Sequence, residues 1–264
     1  MYRWDPDLYH TSSSPQSGWA SDLLEKIRFL GNERVLDIGC GDGKITAAIA
    51  GRVPGGKVTG IDSSPDMIGF ARGHYHVGEV HNLSFEVCDM RELPFVNGFD
   101  LVFSNASMHW VKEHDIVLKC IERALVPGGR MLIQMGGKGN AADIFAVIEK
   151  IIPDEPYAGY FKGFLSPYAF YGPEDYLPWL QSAELIPVRV ELLPKVMVQH
   201  GYEGLSGWIK TTWHPYLECI PKDLQSRFIK DIYRHYIADH QPDPQGNIMI
   251  GMVRLEVEAI KPLE

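Results

Sequence analysis

Three glycines at every second position, Gly39, Gly41 and Gly43, separate a short apolar run from an amphipathic segment in VLDIGCGDGKITAAIA, residues 35–50. A glycine loop at the end of a strand lets backbone approach a bound group, because no Cβ stands in the way. Two acids close later apolar runs. Asp62, ending KVTGID, is placed to accept hydrogen bonds from a ribose diol, and Asp89 in VCDM to accept from the exocyclic amine of adenine. Loop and acids together point to a nucleotide. The dinucleotide fingerprint G-x-G-x-x-G would need glycine where Lys44 stands, and no G-x-x-x-x-G-K-[ST] phosphate loop is present, so the spacing speaks against NAD. His109, in NASMHWVKEH, is the candidate catalytic residue, as a base or as a group that orients an acceptor; a hydrogen-bonded structural histidine is the alternative. His109 and His114 lack the i, i+4 spacing of a metal pair, and no metal site is expected.

The elements that must hold these residues follow from periodicity. Between Gly31 and Gly137, β-rich runs at 34–39, 57–62, 83–89, 100–105 and 130–136 alternate with segments whose apolar residues recur at three- and four-residue spacing. Strand and helix in alternation imply a parallel sheet with helices on both faces. Pro65 after Ser63 and Ser64 reads as an early helical proline behind a cap. Beyond Gly137 the chain becomes rich in Tyr, Phe, Pro and Gly, which predicts irregular segments and short helices over 140–185. Strands are expected at 186–199 and 248–261, with helical material between them. The fold class is α/β, a doubly wound Rossmann-like sheet with a helical, aromatic-rich cap inserted after the fifth strand.

Composition bounds the partners. With 25 Lys and Arg against 34 Asp and Glu, the formal net charge is -9, and no basic cluster tracks a phosphate backbone, so neither nucleic acid nor an anionic membrane surface is expected. The start lacks a signal-peptide pattern, and no apolar run approaches a membrane span, which predicts a cytoplasmic protein. Cys40, Cys88, Cys120 and Cys219 form no C-x-x-C pair and read as small buried residues.

The acid before G-x-G-x-G, the acids ending the second and third strands, and the PGG leading into the fifth resemble the class I S-adenosylmethionine-dependent methyltransferases over residues 31–137. The resemblance implies a seven-stranded sheet with its last strand antiparallel and S-adenosylmethionine as cofactor. It brings Gly39 and Gly41 close to the methionine part, Asp62 to the ribose and Asp89 to the adenine, and adds Ser63, Met90 and Asn105 to the cofactor set. Met67 is a stacking contact for adenine or helix-face packing; Asp37 is a direct contact or a structural acid. Residues 4–24, 105–114 and 207–233 resemble trans-aconitate methyltransferase and related small-acid enzymes. That likeness implies that residues 1–30 close over the cofactor, with Tyr9, Gln16 and Trp19 as contacts, that 31–139 form the cofactor core and that 140–264 carry the substrate cap.

Methyl transfer from a sulfonium is an in-line displacement, for which the protein supplies alignment and exclusion of water. An ionised carboxylate needs no general base, which fits a chain in which no acid–base pair declares itself. The leading function is O-methylation of a small organic acid. The alternatives are another small-molecule or carrier-bound acceptor, or a nucleotide-binding Rossmann protein without methyl transfer. Lys138 and Lys210 are the candidate partners of an anionic substrate, and Trp110, Trp208, Trp213 and Tyr216 either wall the pocket or pack in the core.

Overall fold

The computed structural model describes residues 14–75 and 81–263. Its seven strands are β1 (Arg34–Ile38), β2 (Lys57–Asp62), β3 (Leu83–Val87), β4 (Phe99–Asn105), β5 (Leu125–Gly136), β6 (Ile186–His200) and β7 (Asn247–Ile260). They form one sheet in the order β3-β2-β1-β4-β5-β7-β6. Strands β1 to β5 are parallel, and β7 runs antiparallel to both β5 and β6. This is the doubly wound sheet with an antiparallel last strand that the sequence implied. All of β1 except Arg34 is buried, as expected for a parallel strand covered on both faces. The strand order reverses between β1 and β4, and there the crevice of an open α/β sheet forms.

Helices α1 (Ser14–Leu24), α2 (Lys44–Arg52) and α3 (Pro65–His74) flank one face. Ser64 caps α3, accepting from the Met67 N–H at 3.3 Å with Pro65 in the first turn. Helices α4 (His114–Ala124), α5 (Ala142–Ile151) and α6 (Pro173–Ser182) follow, then α7 (Gly201–Thr212), α8 (His214–Glu218) and α9 (Lys222–Asp239). The stretch expected to hold irregular segments and short helices has two ten-residue helices with different allegiances. Helix α5 joins α7, α8, α9 and the first half of β7 in the cap cluster, around Ile148, Trp208, Phe228 and Ile250. Helix α6 instead buries Tyr176 and Leu180 with α4 against the sheet. The Tyr176 hydroxyl lies 2.6 Å from His114 Nδ1, whose Nε2 meets the Met108 carbonyl at 2.8 Å. His114 is therefore structural.

Strand β6 is the outer edge, with Pro187 and Pro194 in it, a register shift between Pro187 and Arg189, and Val188, Val196 and Val198 exposed.

Asp37, in the middle of β1, is buried and accepts a 2.7 Å hydrogen bond from Thr46 of α2, tying strand to helix. Burial pushes its carboxyl up to about 7; the Thr46 hydroxyl opposes the shift, and Asp62 and Asp42 add to it. Between about pH 4 and 7 the folded chain holds a proton here that the unfolded chain releases. The contribution to stability is complete below the unfolded value and is lost as pH rises through 7. Asp37→Asn is expected to stabilise the fold by on the order of 2–4 kcal/mol at pH 8 and by little at pH 4. Thermal melts of the two proteins at both pH values check this; an equal gain at both would exclude it.

Candidate active site

A cavity of about 460 Å³ lies over the carboxyl ends of the central strands, with the glycine loop and acids at one end and the aromatic cap at the other. The loop glycines have different reasons for being there. Gly39 has φ +71°, and a Cβ on it would fall inside the Ser107 side chain, whose hydroxyl donates to the Ile38 carbonyl at 3.0 Å. Gly43 has φ +82°, and a Cβ there would come within 2.7 Å of Phe85. Protein neighbours thus forbid side chains at both. Gly41, at φ +55°, borders the cavity and donates its N–H to Asp62 at 3.1 Å.

Asp62 is held by backbone on both oxygens: Oδ1 accepts from the Ser64 N–H at 2.8 Å and Oδ2 from Gly41. Burial raises its pKa, and these two N–H groups resist the rise. Asp89 takes the N–H and Nε of Arg91 on Oδ1, at 2.9 and 3.0 Å, and Nη2 on Oδ2 at 2.7 Å. Hydrogen bonding to Arg91 lowers its pKa below the usual carboxylate range. With roughly four acceptor sites on a carboxylate, Oδ2 keeps one for a ligand donor. Ser63, Met90 and Asn105 border the same cavity. Met67 does too while 3% exposed on the inner face of α3, so it packs in the helix face and also borders the cavity. Asp37 does not border the cavity; it is engaged by Thr46. Of the expected cover, Trp19 borders the cavity, whereas Tyr9 and the Gln16 side chain lie outside the described residues.

At the cap end, His109 is buried, with Nδ1 accepting from the Gly136 N–H at 3.4 Å. Its proton then sits on Nε2. Burial pushes its pKa well below 6.5, assisted by the charge of Arg254 and by His114. Burial thus favours the neutral ring. Trp110, Trp208 and Trp213 border the cavity, but Tyr216 packs in the cap against Phe164, with ring centroids 4.7 Å apart. Tyr168 and Phe170, stacked at 5.7 Å, complete the aromatic wall. The Tyr168 hydroxyl donates to the Thr212 carbonyl.

Neither expected lysine faces this space. Lys138 lies beyond β5, 65% exposed and paired with Glu174, and Lys210 is on the exposed side of α7. The cation at the cap end is Arg254 of β7, 3% exposed. Sequence reasoning passed over it, although alternation along IMIGMVRLEV puts it on the same strand face as Ile248, Ile250 and Met252. An arginine on an otherwise apolar, buried face was the available signal.

Two acids facing a glycine loop, with a buried methionine beside them, match the hydroxyls, amine and flat ring of an adenosine group. Residues 30–159 match the family profile of a methyltransferase domain. The chain is 33% identical to the trans-aconitate 2-methyltransferase of Deinococcus radiodurans over 238 residues, 88% of each protein. It is 36% identical to that of Shigella flexneri serotype 5b over 269 residues, 98% of each. Phosphoethanolamine N-methyltransferase 2 of Haemonchus contortus, solved with phosphomonomethylethanolamine and S-adenosylhomocysteine, shares the fold. Its TM-score is 0.58 at 23% identity, covering 93% of this chain and 53% of that one. Sheet order, crevice and relatives define a class I S-adenosylmethionine-dependent methyltransferase. Within that class the chain belongs to the trans-aconitate 2-methyltransferase family.

Asp62→Asn keeps the shape of the side chain and removes its charge. It is expected to weaken S-adenosylmethionine binding by about 1.5–3 kcal/mol, the range for hydrogen bonds to charged groups. Isothermal titration calorimetry measures this, and undiminished affinity in a folded variant would remove Asp62 from the cofactor site.

Proposed function

We propose that this protein methylates a carboxylate oxygen of a small organic acid. The observation that carries the reading is the placing of His109: its buried ring borders the cavity with Nδ1 toward the Gly136 N–H, which leaves Nε2 as a donor that can orient an acceptor. The Tyr168 hydroxyl is already committed, its proton given to the Thr212 carbonyl. A hydroxyl or amine acceptor would need a base at this end; an ionised carboxylate does not. The relatives named for trans-aconitate support the same class of acceptor.

S-adenosylmethionine, when bound, supplies a sulfonium-activated methyl group whose transfer to a carboxylate forms one C–O bond, breaks one S–C bond and moves no proton. We assign Asp62 to the ribose hydroxyls, the remaining lone pair of Asp89 to the adenine amine, Met67 to the ring face and Gly41 to the methionine part. Ser63, Met90 and Asn105 complete that end. We assign residues 31–139 to the cofactor core, Trp19 to its cover, and 140–263 to the acceptor side. Trp110, Tyr168, Phe170, Trp208 and Trp213 exclude water from the reacting pair, which strengthens every charge interaction inside.

Transfer of labelled methyl to a panel of di- and tricarboxylates tests the proposal. With a carboxylate acceptor, kcat is expected to stay flat from pH 6 to 9, because acceptor carboxylates ionise near pH 4 and the His109 pKa lies below 6.5. A rate that rises through pH 7 and loses that rise in His109→Gln would mean that the acceptor must be deprotonated.

A further inference from the structure

We infer that the Ser107 hydroxyl oxygen accepts a hydrogen bond from the ammonium group of the methionine part of S-adenosylmethionine, which makes Ser107 a cofactor contact. The inference rests on the reading of the glycine loop as the seat of that part, and adds the side chain that recognises its positive end.

The chain turns sharply where β4 ends. Ala106 has a left-handed backbone, φ +55°, a conformation that costs a non-glycine residue energy and persists only where its surroundings hold it. Here the Ala106 N–H is held by the Gln134 carbonyl of β5 at 2.8 Å. The turn brings Ser107 back against the end of β1, where it packs so closely on Gly39 that no side chain fits between them. Both residues border the cavity at the glycine loop.

Three oxygens meet behind that loop with two protons to share. Ser107 Oγ lies 3.0 Å from the Ile38 carbonyl, Ser104 Oγ lies 2.8 Å from the same carbonyl, and the two hydroxyls are 2.7 Å apart. A carbonyl brings no proton, so two hydroxyl protons serve three contacts and neither is left over for a ligand. Ser104 is buried, whereas Ser107 is only part-buried and borders the cavity. Ser107 Oγ therefore meets a ligand as an acceptor, and it cannot hold the methionine carboxylate. The donors that S-adenosylmethionine offers are the ribose hydroxyls, the adenine amine and the ammonium. The first two are assigned to Asp62 and Asp89, which leaves the ammonium for the oxygen packed on Gly39. Its charge makes this the stronger kind of hydrogen bond.

The test measures by calorimetry the affinity of wild type, Ser107→Ala, Ser107→Cys and Ser104→Ala for three ligands. These are S-adenosylhomocysteine, its desamino analogue, which keeps the carboxylate, and its decarboxylated analogue, which keeps the amine. In Ser107→Ala the dissociation constants of S-adenosylhomocysteine and of the decarboxylated analogue should rise roughly 10- to 100-fold, the loss of a hydrogen bond to a charged group. That of the desamino analogue should stay near its wild-type value. Ser107→Cys, whose sulfur is a weak acceptor, should show the same pattern and carries the test if the alanine variant does not fold. Ser104→Ala leaves the Ser107 oxygen and its bond to Ile38 in place, and should bind all three ligands close to wild type. Equal losses for the amine-bearing and desamino ligands, equal losses in Ser104→Ala and Ser107→Ala, or no loss at all would each overturn the assignment while the cofactor reading stood. A wild-type protein that binds no S-adenosylhomocysteine would overturn both.

Discussion

The carboxylate of Glu256 is completely buried, and the architecture around the cavity depends on how it is satisfied. Its partners come from four places: Lys26 just after α1, Gln134 on β5, Arg189 on β6 and, through Gln134, Arg254 on β7 itself. A buried charge is tolerated only with well-placed partners, and removing one of several partners commonly costs more than the ensemble contributes to stability. The network therefore acts as a register mark. It fixes where the amino-terminal helix meets the sheet, where β6 lies along β7, and which way the cavity's deep arginine points.

The cavity that results has two electrostatic characters. Its cofactor end is built from carboxylates whose lone pairs are partly filled by backbone N–H groups and by Arg91. Among the described residues, its cap end is lined mainly by aromatic rings, with Arg254 beside them. Carboxylates at one end suit the donor groups of the cofactor, and a cation at the other is what the proposed anionic acceptor would call for. The aromatic wall excludes water from this part of the cavity, and a low local dielectric strengthens charge interactions there.

That the loop glycines, Asp62, Asp89 and Asn105 border one cavity follows from their places at or just beyond the ends of parallel strands, where strand, glycine and acid follow one another in short motifs that the sequence displays. The cap end draws on the loop after β4, the segment at 168–170, the junction of α7 and α8, and β7, which no local pattern unites. Lys138 illustrates the difference. It follows β5 as expected, but its backbone N–H pairs with the Tyr171 carbonyl, and its side chain goes to Glu174 at the surface. Trp213 and Tyr216, three residues apart at the junction of α7 and α8, cannot be told apart by spacing, yet the first borders the cavity and the second packs among Phe161 and Phe164. Asp37 looked like a ligand contact or a structural acid, and only its depth and its bond to Thr46 distinguish the two.

The open edge of β6 raises a separate matter, that of self-assembly. Fifteen residues of edge strand with valines on the exposed face would be a template for another strand, and such templates recruit copies of the same chain. Pro187 and Pro194 interrupt the row of donors, which an edge strand permits and a central one does not. The displaced register beside Pro187 and the charged side chains of Arg189, Glu191 and Lys195 further spoil the match to an incoming strand. The same strand that supplies Arg189 to the buried carboxylate thus also ends the sheet at seven strands and keeps it from growing into a ribbon.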